Sequence, residues 1–125
     1  MTQQSAAIQE AVAPKAHESV VCPVARTAEI ISGKWTLLII RDLTTGTKRF
    51  SELERSLEGI SPKTLSERLS ELERQGVVSR RTYAEVPPKV EYSLTAKGQA
   101  LVGVIDAMRA YGRSWLDCGP DQPCE

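Results

Sequence analysis

From residue 61 the chain reads SPKTLSERLSELERQGVVSRRTY, and its apolar positions change period partway along. Leu65, Leu69 and Leu72 recur at the spacing of one helix face, whereas Lys63, Thr64, Glu67, Arg68, Glu71 and Arg74 lie off that stripe. The spacing predicts a helix over residues 61–75, packed on one side and free on the other. Ser61 is placed to cap it, Pro62 suits its first position and Gly76 stops it. Beyond Gly76, VVSRRTY is β-prone. In KVEYSL, Val90, Tyr92 and Leu94 alternate with Lys89, Glu91 and Ser93, the mark of a strand buried on one face. The intervening AEVPPK carries two prolines and predicts the tip of a two-stranded hairpin.

Upstream, CPVARTAEIIS predicts a short helix with Val24, Ala28 and Ile31 on one side, and KWTLLIIRDLTTG a second whose apolar residues run most of the way round, marking the buried centre. SELE at 51–54 has capping-box form, with Ser51 as cap and Glu54 reaching back, and opens a helix with Leu53 and Leu57 inward. Downstream, Thr95 caps a long helix to about residue 116, on which Leu101, Val104, Ile105, Met108, Tyr111 and Trp115 recur at three- and four-residue steps. Residues 1–21 read as a mobile arm, 22–116 as the folded domain and 117–125 as an acidic, cysteine-bearing tail.

Helix, buried helix, two helices joined by a tight turn, hairpin and long helix form the outline of a winged helix-turn-helix domain, mainly α with a small β-hairpin. That outline suits DNA: a helix fits the major groove, and a flanking loop rests on the backbone. The residues offered to DNA are Ser61, Lys63, Thr64, Glu67 and Arg68 on the helix, Arg80, Arg81 and Lys89 on the hairpin, and Lys48 and Arg49 before the helix pair. A winged helix that binds protein instead is the alternative, because fold alone does not fix function. A terminal helix of about 22 residues spans some 33 Å. That exceeds what so small a core needs and predicts a homodimer through the terminal helices, with Val24, Met108, Tyr111 and Trp115 at the interface.

Composition narrows the reading without overturning it. The 125 residues make one domain of ordinary size, and 41% apolar with 26% charged residues describes a globular protein. Formal net charge is zero, yet residues 34–97 hold twelve Lys/Arg against nine Asp/Glu, so a mildly basic middle sits between acidic ends. No apolar run is long enough to span a membrane and no secretory leader is evident, so a cytoplasmic location is expected.

The motifs that carry a resemblance are CPV at 22–24, GKWTLLIIRDL at 33–43, RFSEL at 49–53, GISPKTLSERLSELERQGVVSRR at 59–81 and EVPPKVEYSLTAKG at 85–98. In these the chain closely resembles the HxlR-type transcriptional regulators, relatives of the MarR group. The resemblance implies a homodimer that binds an operator in double-stranded DNA, usually as a repressor and sometimes as an activator; two recognition helices in a dimer predict that the operator is pseudo-palindromic. It places the recognition helix at 61–75 and the wing at roughly 80–91.

Three cysteines in a reducing compartment are expected to be thiols, and an odd number argues against a closed disulfide framework. Cys22 stands before Pro23 at a helix N-terminus, where amides and the helix dipole favour a thiolate, with Arg26 and Lys34 near in the chain. In the resembling family a cysteine at the matching position senses oxidants, quinones or aldehydes in several members, which makes Cys22 the candidate switch. Cys118 and Cys124 can pair with each other, with Cys22 or not at all. A metal- or small-ligand-responsive regulator is a further alternative, but His17 and the cysteines match no dense ligand motif, so no metal or other cofactor is expected. With a single histidine in the arm and no phosphate-cradling glycine motif, an enzyme is not expected.

Overall fold

In the computed structural model, which describes residues 22–116, the chain divides into two units, the boundary falling between Ser32 and Gly33. The described part of the first is α1 (Pro23–Ile31) with Cys22 at its N-cap and Pro23 at its first position. None of its residues is fully buried, and Val24 is 77% exposed.

The second unit is built on α2 (Lys34–Leu43), where Thr36, Ile39, Ile40 and Leu43 are buried while Trp35, Leu37 and Leu38 stay partly open. Against it pack α3 (Phe50–Ser56) with Leu53, and α4 (Pro62–Arg74) with Leu65, Leu69 and Leu72, the three leucines each at most 1% exposed. Burying one such leucine contributes about 2 kcal/mol. Two strands follow, β2 (Val78–Tyr83) and β3 (Lys89–Leu94), then α5 (Ala96–Gln99) and α6 (Val102–Trp115).

The α4 ends bear out the sequence reading. Ser61 Oγ accepts the Thr64 N–H at 3.1 Å. At the other end Gly76 N–H bonds Glu73 O (3.0 Å) and Val77 N–H bonds Leu72 O (2.9 Å), the paired bonds of a Schellman motif. Gly76 has φ +79°, the left-handed conformation that turns the helix directly into β2. Removing the N-cap hydroxyl in Ser61→Ala should lower stability by about 1 kcal/mol, read as a shift in urea midpoint with unchanged slope.

Three expectations are corrected. The sheet has three strands, because Lys48–Arg49 form β1, which pairs antiparallel with β3 in the order β1-β3-β2. That pairing holds Arg49 extended, so α3 begins at Phe50 and not after a Ser51 cap; Glu52 Oε1, not Glu54, reaches back to accept the Arg49 N–H at 2.8 Å. The long terminal helix is interrupted. Thr95 does cap α5, accepting Gly98 N–H at 3.1 Å, but Ala100 and Leu101 form a tightened turn in which Leu101 N–H bonds Gly98 O. The reason is tertiary: α5 is pinned to the end of α4, with Thr95 Oγ1 donating to Gly76 O (2.5 Å) and Lys97 Nζ to Gln75 O (2.7 Å). Gly98 itself lies so close that a Cβ there would meet Val77 O at 2.2 Å. The remaining α6 has 14 residues, about 21 Å, well short of the expected span.

Candidate nucleic-acid interface

Successive residues of α4 advance about 100° around its axis. The point opposite the buried leucines therefore falls on Lys63, Glu67, Ser70 and Arg74, with Ser66 on one flank and Thr64 and Arg68 on the other. All are exposed except the half-buried Thr64. Ser66 and Ser70 were missed in the reading from sequence, which followed charge; the helical period alone places them on the face.

The polar groups of this face differ in availability. Ser61 spends its hydroxyl locally, accepting the Thr64 amide and bonding Thr64 Oγ1 at 3.0 Å. Arg74 is held by Glu71, whose carboxylate also accepts from Gln75 Nε2; hydrogen bonding to Arg74 keeps the Glu71 carboxyl below its ordinary range. Lys63, Glu67, Arg68 and Ser66 have no side-chain partner among the described residues. The N-terminal half of α4 thus holds both of the helix's cations that have no partner among the described residues. Exposed Arg55 near the end of α3 adds a cation on the preceding helix that the sequence reading passed over.

The sheet divides its basic residues by register. Lys48 and Arg80 are both opposite Tyr92, in β1 and β2 respectively, while Arg49 and Arg81 are both opposite Glu91. Directly paired residues share a face, and neighbours along a strand alternate. The consecutive Arg80 and Arg81 therefore leave on opposite sides. Lys48 and Arg80 share the face of buried Tyr92, and Arg49 and Arg81 the outer one.

Lys89, expected to be a phosphate contact, is engaged within the wing. Its ammonium lies 3.6 Å from Glu91 and 4.0 Å from Glu85, and 4.5 Å from the centre of the Tyr83 ring. Arg81 approaches the same ring at 5.3 Å. Of the wing cations, Arg80 is the one left without any partner among the described residues.

The remaining predicted residues lie elsewhere. Cys22 is an exposed free thiol at the N-cap of α1 but makes no side-chain capping hydrogen bond. The Lys34 ammonium sits 4.9 Å from the Trp35 ring centre. On α6, Met108, Tyr111 and Trp115 are 47%, 61% and 75% exposed at i, i+3 and i+7, one apolar stripe. His17, Cys118 and Cys124 lie outside the described residues. Among the described residues no helix is long and apolar enough to cross a membrane.

A helix-turn-helix with its second helix free, followed by a hairpin wing, defines a winged-helix protein. The chain belongs to the HxlR-like helix-turn-helix family, whose model matches residues 30–119. It is 40% identical over 105 residues to the HTH-type transcriptional regulator sll1512 of Synechocystis sp., covering 84% of this chain and 76% of that one. Among solved structures it is similar to the redox regulator HypR in its oxidized form (TM-score 0.73, 42% identity, 77% of this chain and 99% of that one). The reduced form of the transcriptional regulator YodB from B. subtilis is also similar (TM-score 0.68, 40% identity, 78% and 97%). Family membership places the protein among transcriptional regulators and not among enzymes.

Proposed function

We propose that the protein is a homodimeric, sequence-specific DNA-binding regulator that represses by occupying a pseudo-palindromic operator. The observation that carries this lies in the N-terminal half of α4. Four polar or charged side chains there have no internal partner, on a helix whose opposite face is fixed by three buried leucines. Lys63 and Arg68, exposed and without internal partners among the described residues, are free to meet the base edges and phosphates that a major groove offers. Arg80 on the wing and Arg49 beside α3 supply backbone contacts, and Lys89 contributes only by shaping the wing. Two copies join through the stripe of Met108, Tyr111 and Trp115, and Val24 on α1 is a separate apolar residue available to a partner chain.

Cys22 supplies the switch in this reading, supported by its exposed thiol and by the likeness to HypR and YodB. In the oxidation, Cys22 and a second cysteine thiol form one S–S bond, giving two electrons and two protons to the oxidant.

The test is fluorescence anisotropy with DNA from upstream of the protein's own gene against scrambled DNA, at two salt concentrations, using reduced and diamide-treated protein. Selective binding that weakens with salt is expected from the reduced form, and Arg68→Ala should cost about 2 kcal/mol of it. Cys22→Ser should bind DNA normally and ignore diamide. Absence of selectivity in either redox state would instead favour a protein partner for α4.

A further inference from the structure

On the face of α4 opposite the buried leucines, one charge has the wrong sign for DNA. With each helical residue advancing about 100°, Glu67 lies within about 15° of the point opposite the mean direction of Leu65, Leu69 and Leu72. It is exposed and has no hydrogen-bond or ion-pair partner among the described residues. The reasons are local. Lys63, one turn earlier, stands N-terminal to it at i,i+4, the weaker order for a helix ion pair. Arg74, two turns later on the same face, is taken by Glu71, whose carboxylate also accepts from Gln75 Nε2 at 3.0 Å. Glu71 thus has its charge matched within the helix, and Glu67 does not.

On the regulator reading above, α4 enters the major groove by the face that bears Lys63 and Arg68. Glu67 lies between those two around the axis, about 40° from the first and about 100° from the second, so it goes in with them. Against phosphates an unmatched carboxylate is repelled, and it lowers affinity for every sequence alike. Against base edges it meets two kinds of donor, the N4 amino group of cytosine and the N6 amino group of adenine. These are not equivalent. Adenine N6 stands between two acceptors, its own N7 and thymine O4, both of which repel a carboxylate. Cytosine N4 has an acceptor, guanine O6, on one side only.

We propose that Glu67 is a specificity-determining residue, its carboxylate accepting a hydrogen bond from the N4 amino group of a cytosine in each operator half-site. The bond is charge-assisted, and Glu67 gives up no contact among the described residues to make it. Rejection belongs to the same device. Where the facing base pair sets no amino donor at that place, the charge is left against acceptors and phosphates, so a wrong sequence suffers repulsion as well as a missing bond. Lys63 and Arg68 supply attraction, and Glu67 supplies discrimination. In a twofold dimer the cytosine recurs at positions related by the operator dyad.

The operator is first selected by the whole reduced protein from duplexes of random sequence, and each of its base pairs is then changed in turn to the other three, with affinity read by anisotropy. The parent should show one C·G position per half-site at which any other pair weakens binding about tenfold or more. Glu67→Gln should move the preference there to A·T, with adenine in the place of cytosine, because a glutamine amide pairs with adenine N6 and N7. Glu67→Ala should lose the preference at that position alone and bind scrambled DNA more tightly, its repulsion gone. Arg80→Ala is the control for a phosphate contact: it should weaken all sequences alike and leave the C·G preference in place. Glu67 is exposed, so its variants keep the fold, which circular dichroism checks. Base preferences unchanged in both Glu67 variants, or a position they affect that holds no cytosine, overturn the role of Glu67 while the regulator reading stands. A parent protein that selects no sequence overturns the regulator reading, and the role of Glu67 with it.

Discussion

Gly98→Ala is expected to destabilise the protein by about 3 kcal/mol, lowering its melting temperature by more than about 10 °C. An added methyl group would lie 2.2 Å from Val77 O, and 3.0 Å from Leu94 Cδ2. The carbonyl cannot yield freely, because Val77 O accepts both the Thr95 amide (3.0 Å) and the Thr95 hydroxyl (3.1 Å). Relief therefore requires α5 to lift away from the α4–β2 turn and give up the bonds from Thr95 and Lys97. Thermal or urea unfolding of the variant reads the loss directly. Gly103→Ala is the control: a Cβ there meets nothing within 4 Å, and helix propensity improves, so the same substitution five residues on should be neutral or slightly stabilising. Equal behaviour of the two variants would rule out the close approach as the cause.

Trp115→Glu is expected to separate the proposed dimer and weaken operator binding by about a hundredfold or more, while leaving the fold stable. Trp115 is 75% exposed in the single chain, so its replacement removes little from the core of one copy. At an interface, by contrast, a buried Trp is commonly worth about 2 kcal/mol or more, and twofold symmetry counts it twice. Once the copies part, each half-site is bound alone and the gain from linking, of order 10²–10⁴, disappears. Light scattering after size exclusion at micromolar concentration gives the mass, and anisotropy the affinity. A variant that is monomeric yet binds the operator as tightly as the parent would refute dimerisation as the basis of affinity.

How far the sequence could be read followed from the range of the interaction that fixes each element. The α4 helix was legible throughout, because its leucine stripe, its Ser61 cap and its Gly76 stop are all local. The alternation in residues 89–94 likewise announced β3. By contrast, β1 is only Lys48–Arg49: two residues have no period, and the partner strand lies some forty residues away. The interruption before α6 was hidden for a different reason. Leu101 and Ile105 continue a helical spacing without a break, and it is the docking of Gly98 on Val77 that tightens the turn. In the candidate interface, charge singled out Lys63, Arg68 and Lys89 alike; that Lys89 has Glu85 and Glu91 as partners while the other two have none among the described residues depends on the hairpin being formed.

The double duty of Arg49, last residue of β1 and N-cap of α3, has a mechanical consequence. The wing is tied through β3 to β1, and β1 passes into the first helix of the pair with no residue between. At the other end, α4 enters β2 through the Schellman turn, and α5 clamps that turn from outside. A closed loop of short, hydrogen-bonded joints therefore links the wing and α4, leaving no hinge among the described residues by which one could swing against the other. In the proposed regulator such a part would meet DNA as a stamp and not as a hand. Control over it would then act on where the stamp is held, and the spacing between the two copies becomes the variable that selection and effectors can tune.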